Sequence, residues 1–365
     1  MNQAQKMYAL SLEQIMQAIL IGGTERTVLV QGHMGTGKST ILPMLGEELT
    51  LHTQCYFDGT TKDLGDVMIP NISVLDDSSK KFVTFATNEE LGMHLSKPII
   101  LMIDEYGKAP RPVQNALMRL MLERKIGSYT LHEESIVFAN TNLAAEGVGD
   151  MMLPHQCDRI SIITSRKPDN KEWIIWGVQH DIDPIMLSWC KDNPQLFHSF
   201  EDVENPEDNL YIFHPKRQSH AFVTPRSLHA ASDWMKKRGQ LDDQTLCALL
   251  MGTIGDRGAM DLMAYVKLAD QLPTTEAIKQ DPHNARVPDS DAAVCMVVYR
   301  ALASIERDWV SPWVDYMRRL DAEAQGLFAN GVRADGYDKK QFIYQNKKFA
   351  QWAMDNGYMF SADKA

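Results

Sequence analysis

The chain has no long apolar run, which argues against a membrane-spanning protein. Its longest apolar stretches, such as 99–103 and 292–298, are far shorter than the roughly 18 residues that a transmembrane helix needs. The first residues, MNQAQKMYALSLEQIM, lack the basic start, apolar centre and small-residue cleavage site of a secretory signal. We therefore expect a soluble, cytoplasmic protein with no membrane span.

Cysteine is scarce, and the spacing of the cysteines argues against both a disulfide framework and a structural zinc site. The five cysteines are odd in number, widely spaced and never arranged as CxxC: Cys55, Cys157, Cys190, Cys247 and Cys295. Disulfide frameworks and zinc sites need cysteines in pairs at regular spacing. We expect reduced thiols in packed positions.

Basic residues are in deficit. The sequence has 37 Lys and Arg against 48 Asp and Glu, which leaves a formal net charge of -11. A surface of this charge repels the phosphate backbone of nucleic acids. Two short basic runs, at 166–171 and 214–220, are typical of solvated loops. Direct nucleic-acid binding is therefore disfavoured.

Residues 1–163 show a regular alternation of short apolar runs and helical segments. Four apolar runs are strand candidates: 27–31, 55–58, 99–104 and 135–140. Such runs separated by helices are typical of a parallel sheet covered on both faces. The pattern predicts an α/β domain, an αβα sandwich. The alternation over 67–86 predicts a hairpin around an Asp-Asp-Ser-Ser turn, within an insert of about 67–92.

The remainder is predicted to be helical, because after residue 163 apolar residues recur at helical spacing. A stretch at 272–291, rich in proline and turn-forming residues, interrupts the pattern. We predict three parts: an α/β domain over 1–163, a helical domain over 164–275, and a helical C-terminal region over 276–365.

A glycine-rich turn at 32–39, GHMGTGKS, matches the pattern GxxxxGK[ST] in full. It follows an apolar strand and precedes an amphipathic helix, as in phosphate-binding loops. In such loops the lysine reaches the β- and γ-phosphates and the hydroxyl binds Mg²⁺, which assigns these roles to Lys38 and Ser39. ATP and Mg²⁺ are the predicted cofactors. The predicted nucleotide-binding residues are Gly32, His33, Met34, Gly35, Thr36, Gly37, Lys38, Ser39 and Thr40.

Two later strand ends supply polar groups for catalysis. Asp104 and Glu105 follow an apolar run. One carboxylate at the end of a neighbouring parallel strand can hold the metal, and a second can polarise an attacking water. We assign the metal to Asp104 and the general base to Glu105. A third strand ends in Asn140 and Asn142, and an amide beside the acidic pair can orient the water. We assign that role to Asn142.

Two stretches, IDEYGKAPRPVQNALMRLMLERKIG and IVFANTNLAAEGVGDMMLPHQCDRISI, closely resemble the MoxR-type AAA+ ATPases, in the dynein-related group that includes CbbQ-like and McrB-like ATPases. The resemblance covers about 20–235 and implies a P-loop NTPase fold of AAA+ type followed by an all-helical lid. It also implies that Asn142 is the sensor-1 asparagine. Arg159 matches the arginine that reaches the neighbouring subunit's γ-phosphate, and Arg226 matches the sensor-2 arginine of the lid.

The resemblance leaves alternatives open. An ion pair with Asp158 is the other interpretation of Arg159, and Arg119 and Arg124 are fallback candidates for the arginine acting in trans. The insert either projects towards a pore or partner or simply extends the sheet. Residues 276–365 match no segment of the family.

The resemblance implies a homo-oligomer, a hexameric ring, whose ATP hydrolysis remodels or activates a protein client. A client with a von Willebrand factor A-like domain is one candidate. Two other functions are open. One is a nucleotide-gated, nucleic-acid-associated ATPase or GTPase, such as a loader or a McrB-like restriction component. The other is a small-molecule kinase, against which the adjacent Asp104 and Glu105 favour water as the acceptor.

Overall fold

The structure is a computed structural model that describes residues 7–74, 81–147, 154–269 and 272–360. The chain divides into two compact units, Met1–Lys167 and Pro168–Ala365. The first unit contains the central sheet, and the described elements of the second are helical.

The first unit alternates strands and helices along the chain. Its elements are α1 Leu12–Gly22, β1 Val28–Gly32, α2 Ile41–Glu48, β2 Thr53–Asp58, α3 Leu64–Val67, β3 Met68–Val74, β4 Lys81–Thr87, β5 Ile99–Asp104, α4 Arg111–Glu123, β6 Lys125–Ile126, β7 Tyr129–Thr130, β8 Ile136–Asn142, α5 Pro154–Cys157 and β9 Ser161–Thr164. Five strands form one parallel sheet in the order β2-β5-β8-β1-β9. The predicted α/β sandwich is confirmed.

Strand β9 is absent from the predicted strands because it has no continuous apolar run. It lies at the sheet edge, where Ser161 and Ile162 are exposed. An edge strand with exposed side chains carries a weaker hydrophobic signal than a strand buried on both faces.

The central strands bury alternate residues on opposite faces of the sheet. One face packs against α1 and α2, and its strand residues include Val28, Val30, Ile100, Met102, Ile136 and Phe138. The other face packs against α4, and its strand residues include Leu29, Ile99, Leu101, Ile103, Val137 and Ala139. Because neighbouring residues of a strand point to opposite faces, a slip of one residue would exchange the two sets. The two cores therefore fix the register of the sheet.

The insert is a separate hairpin. β3 and β4 pair antiparallel with each other, and within the described residues neither joins the central sheet. The structure therefore does not support the alternative that the insert extends that sheet. Ile72 and Val83 are exposed on one face of the hairpin, and Ile69 and Phe82 on the other. The predicted Asp-Asp-Ser-Ser turn lies outside the described residues.

The second unit is built from helices around one hydrophobic cluster. Its elements are α6 Asn170–Gln179, α7 Pro184–Asp192, α8 Pro225–Lys236, α9 Asp243–Ala269, α10 Thr275–Gln280, α11 Asp291–Ser304, α12 Val310–Met317, α13 Ala322–Arg333, α14 Lys340–Gln345 and α15 Lys347–Asp355. The cluster takes Trp173 from α6, Trp313 from α12 and Trp352 from α15. Helices on both sides of residue 275 thus share this cluster, and the division into lid and C-terminal region stays a prediction.

Helix α9 is broken at Gly255, where the backbone has φ 80° and ψ 165°. This conformation is essentially restricted to glycine. The segment before α8 passes close to the break, since a Cβ added to Gly255 would lie 2.7 Å from the carbonyl oxygen of Ala221. The break lets two backbone segments approach more closely than a side chain would allow.

Gly255→Ala is therefore expected to lower the free energy of unfolding by about 2–3 kcal/mol, through backbone strain and the contact with Ala221. Gly252→Ala, in the same helix, is the matched control, because nothing lies within 4 Å of its added Cβ. The control should be neutral or stabilising by up to about 1 kcal/mol. Urea unfolding followed by circular dichroism measures both, and equal effects would contradict the role of the break.

Within the described ranges, no helix combines the length and the apolar character required to cross a bilayer.

All five cysteines are free thiols, but Cys157 is exposed. The expectation of packed thiols is therefore wrong for Cys157, which is exposed at the last position of the short helix α5.

Candidate active site

The glycine-rich turn connects β1 to α2 through a short 3₁₀ turn, Lys38–Thr40. Gly35 and Gly37 have φ of 70° and 91°, in the left-handed region that favours glycine. These two residues let the chain reverse tightly before the helix. All nine predicted nucleotide-binding residues, 32–40, lie in this segment.

The side chain of Lys38 is buried at the mouth of the loop, with 7% of its surface exposed. Its Nζ donates hydrogen bonds to the carbonyl oxygens of Gly32 at 3.0 Å and His33 at 2.8 Å, and to Oδ1 of Asn142 at 2.8 Å. A buried ammonium group is costly unless it is hydrogen-bonded. These three acceptors hold the ammonium group at the carboxyl end of β1, where the loop begins.

Asn142 links the loop to the acidic pair. The parallel pairing of β1 with β8 places Asn142 directly opposite Gly32. Its Oδ1 accepts from Lys38, and its Nδ2 donates to Oε1 of Glu105 at 2.8 Å. An ammonium group can only donate and a carboxylate can only accept, so these partners fix the orientation of the amide. The three residues form one continuous chain of hydrogen bonds.

Glu105 is held in an unusual backbone conformation, with φ 50°. Its N–H donates to Oδ1 of Asn140 at 3.0 Å and to Oδ1 of Asp104 at 2.9 Å. Such strain costs on the order of 1–3 kcal/mol and persists only where the surroundings impose it. Lys108 also approaches Oε1, with its Nζ at 3.1 Å. By contrast, Oε2 is buried and has no hydrogen-bond partner in the described part of the chain.

Asp104 lies at the end of β5, one strand further from the loop than expected. Since β8 lies between β1 and β5, the strand of Asp104 is not the direct neighbour of the loop strand. Oδ2 of Asp104 accepts from the Tyr56 hydroxyl at 2.8 Å, and strand pairing places Asp58 opposite Asp104. Burial, and then the hydrogen bond to Asp104, raise the pKa of Tyr56 above its ordinary value.

The sequence alone did not single out Tyr56 or Asp58, although the position of Asp58 at the end of a strand was a signal for a role in the site. β2 ends in Asp58, and the carboxyl ends of parallel strands meet at one edge of a sheet. The order of the strands, which places β2 beside β5, is not visible in the sequence.

The residues assigned to the metal fit Mg²⁺ in their chemistry. Ser39 offers a hydroxyl, Asp104 offers a carboxylate, and Asp58 adds a second carboxylate beside Asp104. Magnesium prefers hard oxygen ligands and keeps several waters. The unpaired, buried Oε2 of Glu105 is a further acceptor that a bound water would satisfy. The donor set is therefore compatible with a hydrated Mg²⁺ ion.

The three arginine candidates differ in their surroundings. Arg159 is exposed in the turn after α5, and its guanidinium forms no ion pair with any residue that the structure describes, Asp158 included. Arg119 pairs with Glu123 at 2.9 Å. Arg124 is directed inwards: it donates to Thr27 Oγ1 at 2.6 Å, to the Gly23 carbonyl oxygen at 3.0 Å and to the Met121 carbonyl oxygen.

Burial lowers the pKa of Arg124 to about 10, which leaves it charged at neutral pH. Because its guanidinium is hydrogen-bonded within its own chain, Arg124 is a poor candidate for an arginine that acts in trans.

Arg226 belongs to the second unit, whereas the other candidates belong to the first. It is exposed at the second position of α8. Thr224 caps this helix by accepting from the Ser227 N–H at 3.0 Å, and Pro225 occupies the first position. Arg226 therefore projects from the first turn of a well-capped helix.

Glu146 contacts the loop and had no role in the sequence analysis. It ends a 3₁₀ turn, Ala144–Glu146, just after β8. Its Oε1 lies 2.7 Å from Nδ1 of His33, and its Oε2 accepts from the Met34 N–H at 2.7 Å. The carboxylate is almost fully buried, with 2% of the side chain exposed. Its position shortly after the strand of Asn142 was the only sequence signal.

Together, the parallel sheet, its strand order and the glycine-rich turn before α2 give the first unit the α/β fold of P-loop NTPases. The turn and the ends of β5 and β8 bring Lys38, Asn142 and Glu105 into one hydrogen-bonded group.

No protein-family model matches this chain, and no curated protein matches its sequence. Solved structures show a distant similarity. A putative ATPase from Cytophaga hutchinsonii is 17% identical with a TM-score of 0.36, over 48% of this chain and 52% of that one. This chain thus spans about half the length of that protein.

Two other solved structures match more of the chain. NtrX from Brucella abortus, in complex with ADP, is 12% identical with a TM-score of 0.39, over 95% of this chain and 68% of that one. The Holliday junction branch migration motor RuvB from Thermotoga maritima is 15% identical with a TM-score of 0.35, over 84% and 86%. Sequence identities and TM-scores this low do not indicate a function, so the function has to be argued from the site itself.

Proposed function

We propose that this chain is a Mg²⁺-dependent ATPase, a MoxR-like AAA+ protein that forms a hexameric ring in the cytoplasm and remodels or activates a protein client. The observation that carries the proposal is the chain of hydrogen bonds from Lys38 through Asn142 to Glu105. It connects the group that would hold the β- and γ-phosphates to the group that would activate water.

The site suits hydrolysis of the terminal phosphate bond. Asn142 and Lys108 hold Oε1 of Glu105, so Oε2 is the atom that accepts a proton from water. The water oxygen forms a bond to the γ-phosphorus as the bond from that phosphorus to the β,γ-bridging oxygen breaks. The products are ADP and inorganic phosphate. Ser39 and Asp104 would hold Mg²⁺, which would supply positive charge next to the phosphate oxygens.

Two exposed features support the oligomer and the client. Arg159 is at the surface without an ion pair among the described residues, as an arginine that acts in a neighbouring subunit must be. The insert hairpin exposes apolar side chains on both faces, among them Ile72 and Phe82. Exposed apolar clusters are typical of protein contact sites. A client with a von Willebrand factor A-like domain belongs to this proposal, as does a sensor role for Arg226.

Lys38→Ala is expected to weaken the binding of both ATP and ADP at least about 100-fold. The substitution removes charge-assisted hydrogen bonds to phosphate, and each of these contributes about 1.5–3 kcal/mol. Isothermal titration calorimetry with each nucleotide measures the effect. Lys97→Ala is the control, since Lys97 is an exposed lysine of the same unit. Unchanged affinity in the Lys38 variant would show that the glycine-rich loop is not the nucleotide site.

A further inference from the structure

Glu146 is a buried carboxylate that the proposed hydrolysis does not use. Both of its oxygens contact the phosphate loop, Oε1 at His33 and Oε2 at the Met34 N–H, each at 2.7 Å. A carboxylate can only accept, so Nδ1 of His33 carries the proton in this contact. Removing a carboxylate from water is costly unless charged or polar partners compensate. For Glu146, the loop supplies that compensation.

Glu146 and Lys38 bind opposite ends of one peptide group. Lys38 Nζ donates to the carbonyl oxygen of His33 at 2.8 Å, and Glu146 accepts from the adjoining N–H of Met34 at 2.7 Å. Two hydrogen bonds and one planar peptide therefore separate the ammonium from the carboxylate, so they lie no more than about 8 Å apart. Lysines of such loops reach the β- and γ-phosphates. The carboxylate thus lies close to the terminal phosphate of a bound triphosphate.

We propose that Glu146 sets the preference of the site between nucleoside triphosphate and diphosphate. Its carboxylate occupies the Met34 N–H when no γ-phosphate is present, and a bound γ-phosphate repels it from this position. The carboxylate lies within about 8 Å of the ammonium group that would hold the γ-phosphate, and like charges at such separations repel in a partly buried site, where the effective dielectric is below that of water. A diphosphate has no γ-phosphate and leaves the contact intact. The inference rests on the proposed function, because it requires nucleotide in this loop.

The position of Glu146 also connects this contact to the hydrolytic group. The turn Ala144–Glu146 begins two residues after Asn142, and Gly147 ends it with φ 79°. Displacement of Glu146 would therefore act on the backbone that continues directly from the strand of Asn142. Glu146 is a positioning and specificity-determining residue, and it takes no part in the chemical step.

The test compares two nucleotides that differ in the γ-phosphate. ADP and the slowly hydrolysed β,γ-imido analogue of ATP are titrated with Mg²⁺ into the full chain by calorimetry. Glu146→Gln removes the charge and can still accept from the Met34 N–H, and Glu146→Ala removes both charge and contact. Both variants should bind the triphosphate analogue about tenfold more tightly, whereas the affinity for ADP should change by less than about threefold.

Two further variants separate charge from packing. Glu146→Asp keeps the charge and should keep the ratio of the two affinities within about threefold of the unsubstituted protein. Glu48→Gln, at an exposed glutamate near the end of α2, removes one charge elsewhere and should leave both affinities within about twofold. Thermal unfolding without nucleotide shows that each variant is folded.

Other outcomes would overturn the inference. Parallel changes for both nucleotides, or weaker binding of the triphosphate in the Gln and Ala variants, would show that Glu146 only braces the loop. The same conclusion would follow if Glu146→Asp changed the ratio of the two affinities as much as Glu146→Ala does. Failure of the proposed function looks different: the unsubstituted chain would bind neither nucleotide, or Lys38→Ala would bind both normally.

Discussion

Glu105→Gln should lower ATP turnover by about 10²- to 10⁴-fold, the usual contribution of a general base, while ATP stays bound. Oε2 of Glu105 is buried without a partner, and Oε1 is held by Asn142 and Lys108. Glutamine has the same shape and can keep the contacts of Oε1, but it cannot take a proton from water at neutral pH. The variant should thus separate binding from hydrolysis.

Two measurements check this expectation. Phosphate release reports turnover, and calorimetry with ATP should give an affinity within a few-fold of the unsubstituted chain. Glu134→Gln is the matched control, because Glu134 is an exposed glutamate of the same unit and its substitution should leave turnover within about twofold. Turnover that survives in the Glu105 variant would assign the base to another group.

The second large effect is expected for Arg159→Ala, which should lower turnover by about 10³- to 10⁵-fold if this arginine stabilises the transferring phosphoryl group of a neighbouring subunit. Arg159 is exposed and forms no ion pair among the residues that the structure describes. Its removal should therefore cost little stability. Arg119→Ala is the control, since Arg119 is an exposed arginine that pairs with Glu123. A large loss in the control instead would move the role to Arg119.

Mixing two inactive variants tests whether Arg159 acts across an interface. Lys38→Ala subunits bind nucleotide too weakly for turnover but keep Arg159, whereas Arg159→Ala subunits keep the loop and lack the arginine. In rings assembled at random from equal amounts, about a quarter of the interfaces would combine an intact loop with an intact arginine. Turnover should therefore recover to about a quarter of that of unsubstituted rings. No recovery in mixed rings would indicate an arginine acting within its own subunit, or no ring.

The parts of the site that were predictable from the sequence lie in local patterns or at strand ends. The loop is a contiguous motif, so Lys38 and Ser39 can be assigned without a fold. Glu105 and Asn142 each follow a strongly apolar run, and parallel strands bring their carboxyl ends to one edge. The hydrogen bonds of Asn142 to both Lys38 and Glu105 are a direct consequence of that edge.

The contacts that were not predictable depend on strand order or on irregular backbone. The partners of Glu146 are more than a hundred residues away in sequence, and the contact depends on a 3₁₀ turn that leaves no hydrophobic period. Tyr56 reaches Asp104 only because β2 lies beside β5. Propensity could not decide whether the insert extends the sheet, since strand-like alternation suits both arrangements.

The pairing of Gly32 with Asn142 has a consequence for how this protein can change during evolution. The position of Asn142 depends on the number of residues that precede it in β8, because the odd-numbered and even-numbered apolar residues of this strand belong to different cores. Exchanging one apolar residue for another within that strand preserves the count. Inserting or deleting a single residue within the strand would place Thr141 or Leu143 opposite Gly32. It would also move the shifted side chains of the strand to the opposite face of the sheet. Lineages should therefore accumulate exchanges among apolar residues at the buried apolar positions of β8, while losing nearly every insertion or deletion of a single residue there.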